Sequence, residues 1–136
     1  DLPVLTQSSR AGTANTVLAW APSARASSAW TKQAPQWLEA MGFIPQQVAD
    51  TPGLVVARTI AMLINEAADA VHQGVCSAAA ADAAMKLGVN YPAGPFEWLA
   101  IWGAAPVCEL LDALDAHYRG ERYRVSPGLR HSLWKN

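Results

Sequence analysis

Charge is scarce in this chain: Asp, Glu, Lys and Arg make up 15% of its 136 residues, and the formal net charge is −1. No basic run is present, which argues against nucleic acid or an anionic membrane surface as partner. Two cysteines, Cys76 and Cys108, are too few for a disulfide framework and lie at no metal-ligand spacing. A reduced, cytoplasmic setting is the simpler reading. No pair of histidines falls at a zinc-site spacing either. Of the nine glycines, no two are separated by a single residue, so a G-x-G-x-x-G turn is excluded, as is a phosphate-cradling P-loop. A G-x-S-x-G nucleophile elbow is also missing. Apolar runs stop short of the roughly 18–20 residues that a membrane-spanning helix needs. Arg58, Asn65 and Glu66 interrupt the best of them. The chain opens at Asp1 without an initiator Met or a charged leader, which reads as a piece of a longer polypeptide.

What is abundant is apolar surface. Hydrophobic residues reach 51% and tryptophans number six, more than a domain of this size hides easily, which predicts a covering subunit or neighbouring domain. Residues 1–15 read as loop with one short strand. Residues 16–50 read as strand, helix, strand: Thr16–Trp20, then Trp30, Ala34, Trp37, Leu38 and Met41 at helical spacing up to Gly42, then Phe43–Ala49. Pro35 is expected to kink or restart that helix, and Pro45 to make the second strand edge-like.

From residue 51 onward the pattern is helical throughout. Asp50-Thr51-Pro52-Gly53 punctuates a long helix over about 53–73, apolar around nearly its whole circumference and therefore core-forming. Ser77 caps an Ala-rich helix to Leu87, stopped by Gly88, with Asp82 and Lys86 at pairing distance along it. Two prolines and a glycine make residues 90–94 a tight loop. Pro95 opens a helix to Trp102, and Pro106 opens another to Gly120 with Val107, Leu110, Leu111, Leu114 and Tyr118 on one stripe. Ser126-Pro127 opens a short last helix.

Polar chemistry is sparse. Arg58, Asn65, Asp69 and His72 fall within about 60° of one another on the long helix. They are either a seam facing a ligand or neighbouring domain, or a solvated strip. His117 and His131 sit near helix ends, where the dipole favours cations, and read as surface residues. Asp112 and Asp115 read as solvation. The loop Tyr91-Pro92-Ala93-Gly94-Pro95 either lines a pocket with rigid backbone or serves as a sharp connector.

Several of these blocks together resemble the C-terminal domain of the 3-hydroxyacyl-CoA dehydrogenases, which include 3-hydroxybutyryl-CoA dehydrogenase. They are Asp50-Thr51-Pro52-Gly53-Leu54-Val55-Val56-Ala57-Arg58, then Asn65-Glu66-Ala67, then Asp82 to Glu97, and finally Glu121-Arg122-Tyr123-Arg124 with Ser126-Pro127. The resemblance covers about residues 43–134. It implies a mainly α fold, a helical domain like the C-terminal domain of 6-phosphogluconate dehydrogenase. Ahead of it, over residues 1–50, would stand a strand-helix-strand remnant of a nucleotide-binding fold, with the helical domain over 51–136.

Departures from the family pattern fall on the chemical positions. The helix-borne Asn that contacts substrate corresponds to Ala57, the catalytic Glu to Ala19, and the general-base His to Gln7. An alanine cannot orient an imidazole, and a neutral amide cannot take a hydroxyl proton. The resemblance therefore implies a non-catalytic second copy of the domain, as in long bacterial members resembling 3-hydroxyadipyl-CoA dehydrogenase of phenylacetate breakdown. NAD would belong to the amino-terminal part of the parent chain, which is the expected partner, together with further copies in a homo-oligomer. An alternative is a module that contacts the acyl-CoA substrate through Arg58, Tyr91, Pro92, Gly94 and Pro95. No metal, nucleic acid or membrane is implied.

Overall fold

A computed structural model describes residues 16–134, and the strand proposed within residues 1–15 lies outside that range. The chain divides into two compact units, one ending at Ala57 and the other beginning at Arg58. In the first, β1 (Thr16–Trp20) and β2 (Phe43–Gln47) form a two-stranded parallel sheet. Its register pairs Thr16 with Phe43 and Trp20 with Gln47. Parallel strands need a crossover, and α1 (Ser28–Ala40) supplies it. Ser27 caps α1 by accepting from the Trp30 amide, and Gly42 leaves it at φ +88°. The helix does not restart at Pro35. A proline removes only its own rung, here to the Thr31 carbonyl, and the rungs on either side carry the helix past it. No residue of α1 is buried.

Residues 52–55 are a turn, not the first turn of the long helix. The Leu54 amide donates to the Thr51 carbonyl at 2.9 Å, and Gly53 and Leu54 both take positive φ. A right-handed helix cannot pass through two such residues, so α2 spans Val56–His72 and starts three residues later than its sequence suggests. Its full burial is confined to Ile60, Ala61, Ile64, Asn65 and Ala68, one stripe rather than the whole circumference.

In the second unit α3 (Ala78–Val89) is capped by Ser77, as its sequence predicts. It runs through Gly88, however, and ends at Asn90, which adopts the left-handed conformation. Asparagine tolerates that region through its short polar side chain. α4 (Pro95–Trp102) and α5 (Ala104–Tyr118) follow, separated by Gly103 at φ +84°. α5 begins two residues before Pro106, and Arg119, not Gly120, takes the left-handed position at its end. A 3₁₀ turn at Glu121–Tyr123 leads to α6 (Pro127–Ser132), capped by Ser126. The core of this unit is built on α5: Val107, Cys108, Leu111 and Leu114 are shut away from solvent, as are Ile64, Trp98, Tyr123 and Leu129. α5 touches α4, the 3₁₀ turn and α6 in turn. Each leucine-sized side chain removed from water contributes about 1.5–3 kcal/mol.

Candidate functional site

The polar seam of α2 is solvated only in part, because the segment from Tyr118 to His131 runs beside it. Arg58 Nη1 reaches the Tyr118 hydroxyl at 3.5 Å. Asn65 is 4% exposed and uses both ends of its amide: Nδ2 donates to the Arg124 carbonyl at 3.0 Å, and Oδ1 accepts from the Ser126 amide at 2.7 Å. Ser126 is buried as well, and its hydroxyl caps α6 by accepting from the Leu129 amide. Farther along, Gly128 sits so close that a Cβ there would lie 2.6 Å from the Ala68 carbonyl oxygen and 2.8 Å from His72 Cβ. The imidazoles of His72 and His131 have ring centroids 6.4 Å apart. Asp69 instead accepts from Gln73, in the turn just after its own helix. Of the seam's four residues, then, Asn65 is a structural bracket and Arg58 lines a cavity.

Arg58 lines a cavity of about 280 Å³ together with Tyr118, Gly120, Glu121, Arg122 and Tyr123. The Tyr118 and Tyr123 rings are 5.3 Å apart. Tyr118 is exposed, not part of the apolar stripe where its spacing puts it, because the helix ends there and the ring leans on Tyr123 instead. A second depression of about 430 Å³ lies among His72, Phe96, His131 and neighbouring residues.

None of the loop residues Tyr91, Pro92, Gly94 and Pro95 lines the Arg58 cavity. Instead the loop is locked onto α3. Ala93, Gly94 and Pro95 are buried. Asp82 Oδ1 accepts from the Phe96 amide at 2.7 Å, and a Cβ at Gly94 would collide with the Asp82 side chain. Glu97 Oε2 reaches back to the Gly94 amide at 2.9 Å, while its Oε1 meets Lys86 Nζ at 2.5 Å. Lys86 and Asp82 therefore both reach across to α4 and do not pair along α3. The hydrogen bond from Lys86, reinforced by the Gly94 amide, holds the Glu97 carboxyl below its ordinary value, and the same bond raises Lys86. Tyr91 packs on Trp98 with centroids 5.8 Å apart. Pro92 is exposed.

Other chemical groups are quiet. Burial pushes the Cys108 thiol up, making it a core residue rather than a nucleophile. Asp112, expected to be simply solvated, grips Arg130 with both oxygens, at 2.5 and 2.9 Å, and the pairing raises the guanidinium. Ala57 is the second residue of α2 and Ala19 lies in β1; Gln7 is outside the described residues. Among the described residues no three His, Cys, Asp or Glu side chains gather as a metal site, and no helix is long and apolar enough to cross a membrane. Tyr118, Arg122 and Tyr123 were not predicted as lining residues. The Glu121-Arg122-Tyr123 block carries a recognisable signature, but only the fold shows that it closes over the start of α2.

Residues 53–134 match the family described as 3-hydroxyacyl-CoA dehydrogenase, C-terminal domain. Over 100 residues the chain is 47% identical to the 3-hydroxyadipyl-CoA dehydrogenase of Escherichia coli, covering 74% of this chain and 21% of that protein. It is 36% identical over 92 residues to a probable 3-hydroxybutyryl-CoA dehydrogenase of Bacillus subtilis, covering 68% and 32%. The crystal structure of a 3-hydroxybutyryl-CoA dehydrogenase from Escherichia coli superposes with a TM-score of 0.81 at 42% identity, over 88% of this chain and 26% of that one. The chain thus spans between a fifth and a third of the length of these relatives.

Proposed function

Because the chain belongs to the 3-hydroxyacyl-CoA dehydrogenase family, as its C-terminal domain, we propose that it completes an NAD-dependent 3-hydroxyacyl-CoA dehydrogenase without supplying the reacting groups. The parent oxidises a 3-hydroxyacyl-CoA to the 3-oxoacyl-CoA and passes the hydride to NAD, in cytoplasmic fatty-acid or phenylacetate catabolism. This lobe serves in packing or dimerisation. The residues present do not fit NAD. No two glycines are separated by a single residue, so the chain lacks the Gly-x-Gly-x-x-Gly turn through which a dinucleotide fold brings backbone amides to the pyrophosphate. The cofactor is therefore held by the amino-terminal part of the parent, the lobe's first partner, and a second copy of the assembly is its other partner.

One observation carries this reading: two parallel strands and a helix with no buried residue, with Ala19 and Ala57 where the family resemblance puts the catalytic Glu and the substrate-contacting Asn. Parallel sheets are stable when both faces are covered. Here Val17, Trp30, Trp37, Met41 and Ile44 are exposed instead. The test is an NADH assay with 3-hydroxybutyryl-CoA on the chain alone and on the chain joined to its upstream coding sequence. Turnover only in the joined protein is the expected result; NADH formation by the chain alone overturns it.

A second reading, a substrate-contacting module, is favoured at Arg58 by the cavity it lines. Tyr91, Pro92, Gly94 and Pro95 take no part in that cavity, and the loop's bonds to Asp82 and Glu97 support the connector role. Calorimetry with acetoacetyl-CoA tests the module; absence of heat at millimolar ligand removes it.

A further inference from the structure

We propose that the cavity between the start of α2 and the 3₁₀ turn is an oxyanion site, built by Arg58 and Arg122 to hold a single carboxylate or phosphate group. Two other cations of this unit have carboxylate partners. Lys86 is matched by Glu97 and Arg130 by both oxygens of Asp112. Arg58 differs. It is only half exposed, yet its guanidinium makes one long bond, 3.5 Å to a neutral phenol. A guanidinium carries five donors in a planar fork matched to carboxylate and phosphate oxygens, and among the described residues Arg58 uses one of them. Arg122 lines the same cavity, and Glu121 offsets one of the two positive charges, leaving a net attraction for one anion.

Size narrows the ligand. About 280 Å³ is at the lower edge of what small-molecule sites enclose, so the cavity suits a terminal group with a few carbons and not a whole nucleotide. The paired Tyr118 and Tyr123 rings give an apolar wall along which a methylene chain can lie. Within the dehydrogenase reading, on which the choice of ligand rests, two sources offer that chemistry: an acyl chain ending in a carboxylate, and the phosphates of the CoA headgroup. The site itself stands on the arginines and not on that reading.

The probes are adipate for the first source and adenosine 3′,5′-bisphosphate for the second, titrated into the 136-residue chain by calorimetry, with sodium chloride of equal ionic strength as control. Saturable binding of at least one probe is expected, with at least a tenfold loss of affinity in Arg58→Gln and in Arg122→Gln and partial recovery in Arg58→Lys. Adipate alone identifies an acyl terminus, and the bisphosphate alone a CoA phosphate. Arg122 is on the surface, so its variant remains folded and informative if Arg58→Gln does not. No saturable binding at ten-millimolar probe, or equal binding in both Gln variants, overturns the site. Either outcome leaves the NADH assay of the joined protein untouched, so the two readings fail separately.

Discussion

The two units of this chain obey different accounting for burial. From Arg58 onward every helix contributes to a shared interior or is tied to one that does, and the buried Asn65 and Ser126 are matched donor to acceptor, while the buried Trp98 Nε1 has no partner among the described residues. Before Ala57, β1 buries Leu18 alone, α1 buries nothing, and Trp30 stacks edge-on against Trp37 at 4.8 Å in the open. The same composition thus produces a closed core in one region and an uncovered one in the other. Local sequence pattern suffices to form a helix, but burial needs other elements to cover it.

This contrast can be broken most sharply at Asn65. Its replacement by Ala strands the Ser126 amide and the Arg124 carbonyl together, and a loss of about 2–3 kcal/mol is expected by urea denaturation. A loss below half a kcal/mol would mean that the bracket is not holding the C-terminal segment. Gly128→Ala forces a methyl against the Ala68 carbonyl and should cost about 1–2 kcal/mol, read the same way.

Glu97→Gln has a smaller, pH-dependent effect. The folded carboxyl titrates below its unfolded value of 4.5, so its stabilising contribution is complete above that value and disappears as pH falls through the folded one. The melting temperatures of wild type and variant should therefore differ at neutral pH and converge in acid. Divergence on acidification would contradict the assignment. The least effect belongs to Trp37→Ala, which should change stability by no more than about 0.5 kcal/mol because nothing is lost from a core. Native-state hydrogen exchange should correspondingly show α5 amides protected to the global limit and β2 amides opening far sooner.

Much of the architecture could be read from residue order. Ser27-like caps were not needed to find α1, and Ser77, Pro95 and Ser126 each mark a true helix start, since capping is a local interaction within three residues. Stops were harder. Gly88 and Gly120 look like terminators, yet Asn90 and Arg119 take the left-handed positions, where tertiary contacts decide which residue bears the unfavourable φ. The start of α2 was misplaced for a similar reason, because Pro52-Gly53 suits both a turn and a first helical turn.

The candidate site was half legible. Arg58 was singled out by its place on α2, but grouping it with the Tyr91–Pro95 loop followed family blocks that the fold does not join in one cavity. The partners of Asn65 and Asp112, Ser126 and Arg130, stand 61 and 18 residues away in sequence. No periodicity carries information over such separations.

The two-ended grip of Asn65 has a consequence for how the chain tolerates change. Several side chains between Tyr118 and Ser126 point outward, but the buried Tyr123 and the count of peptide units are both fixed. Deleting or inserting one residue there would shift a carbonyl and an amide together past a fixed carboxamide, so the connector is held to its length.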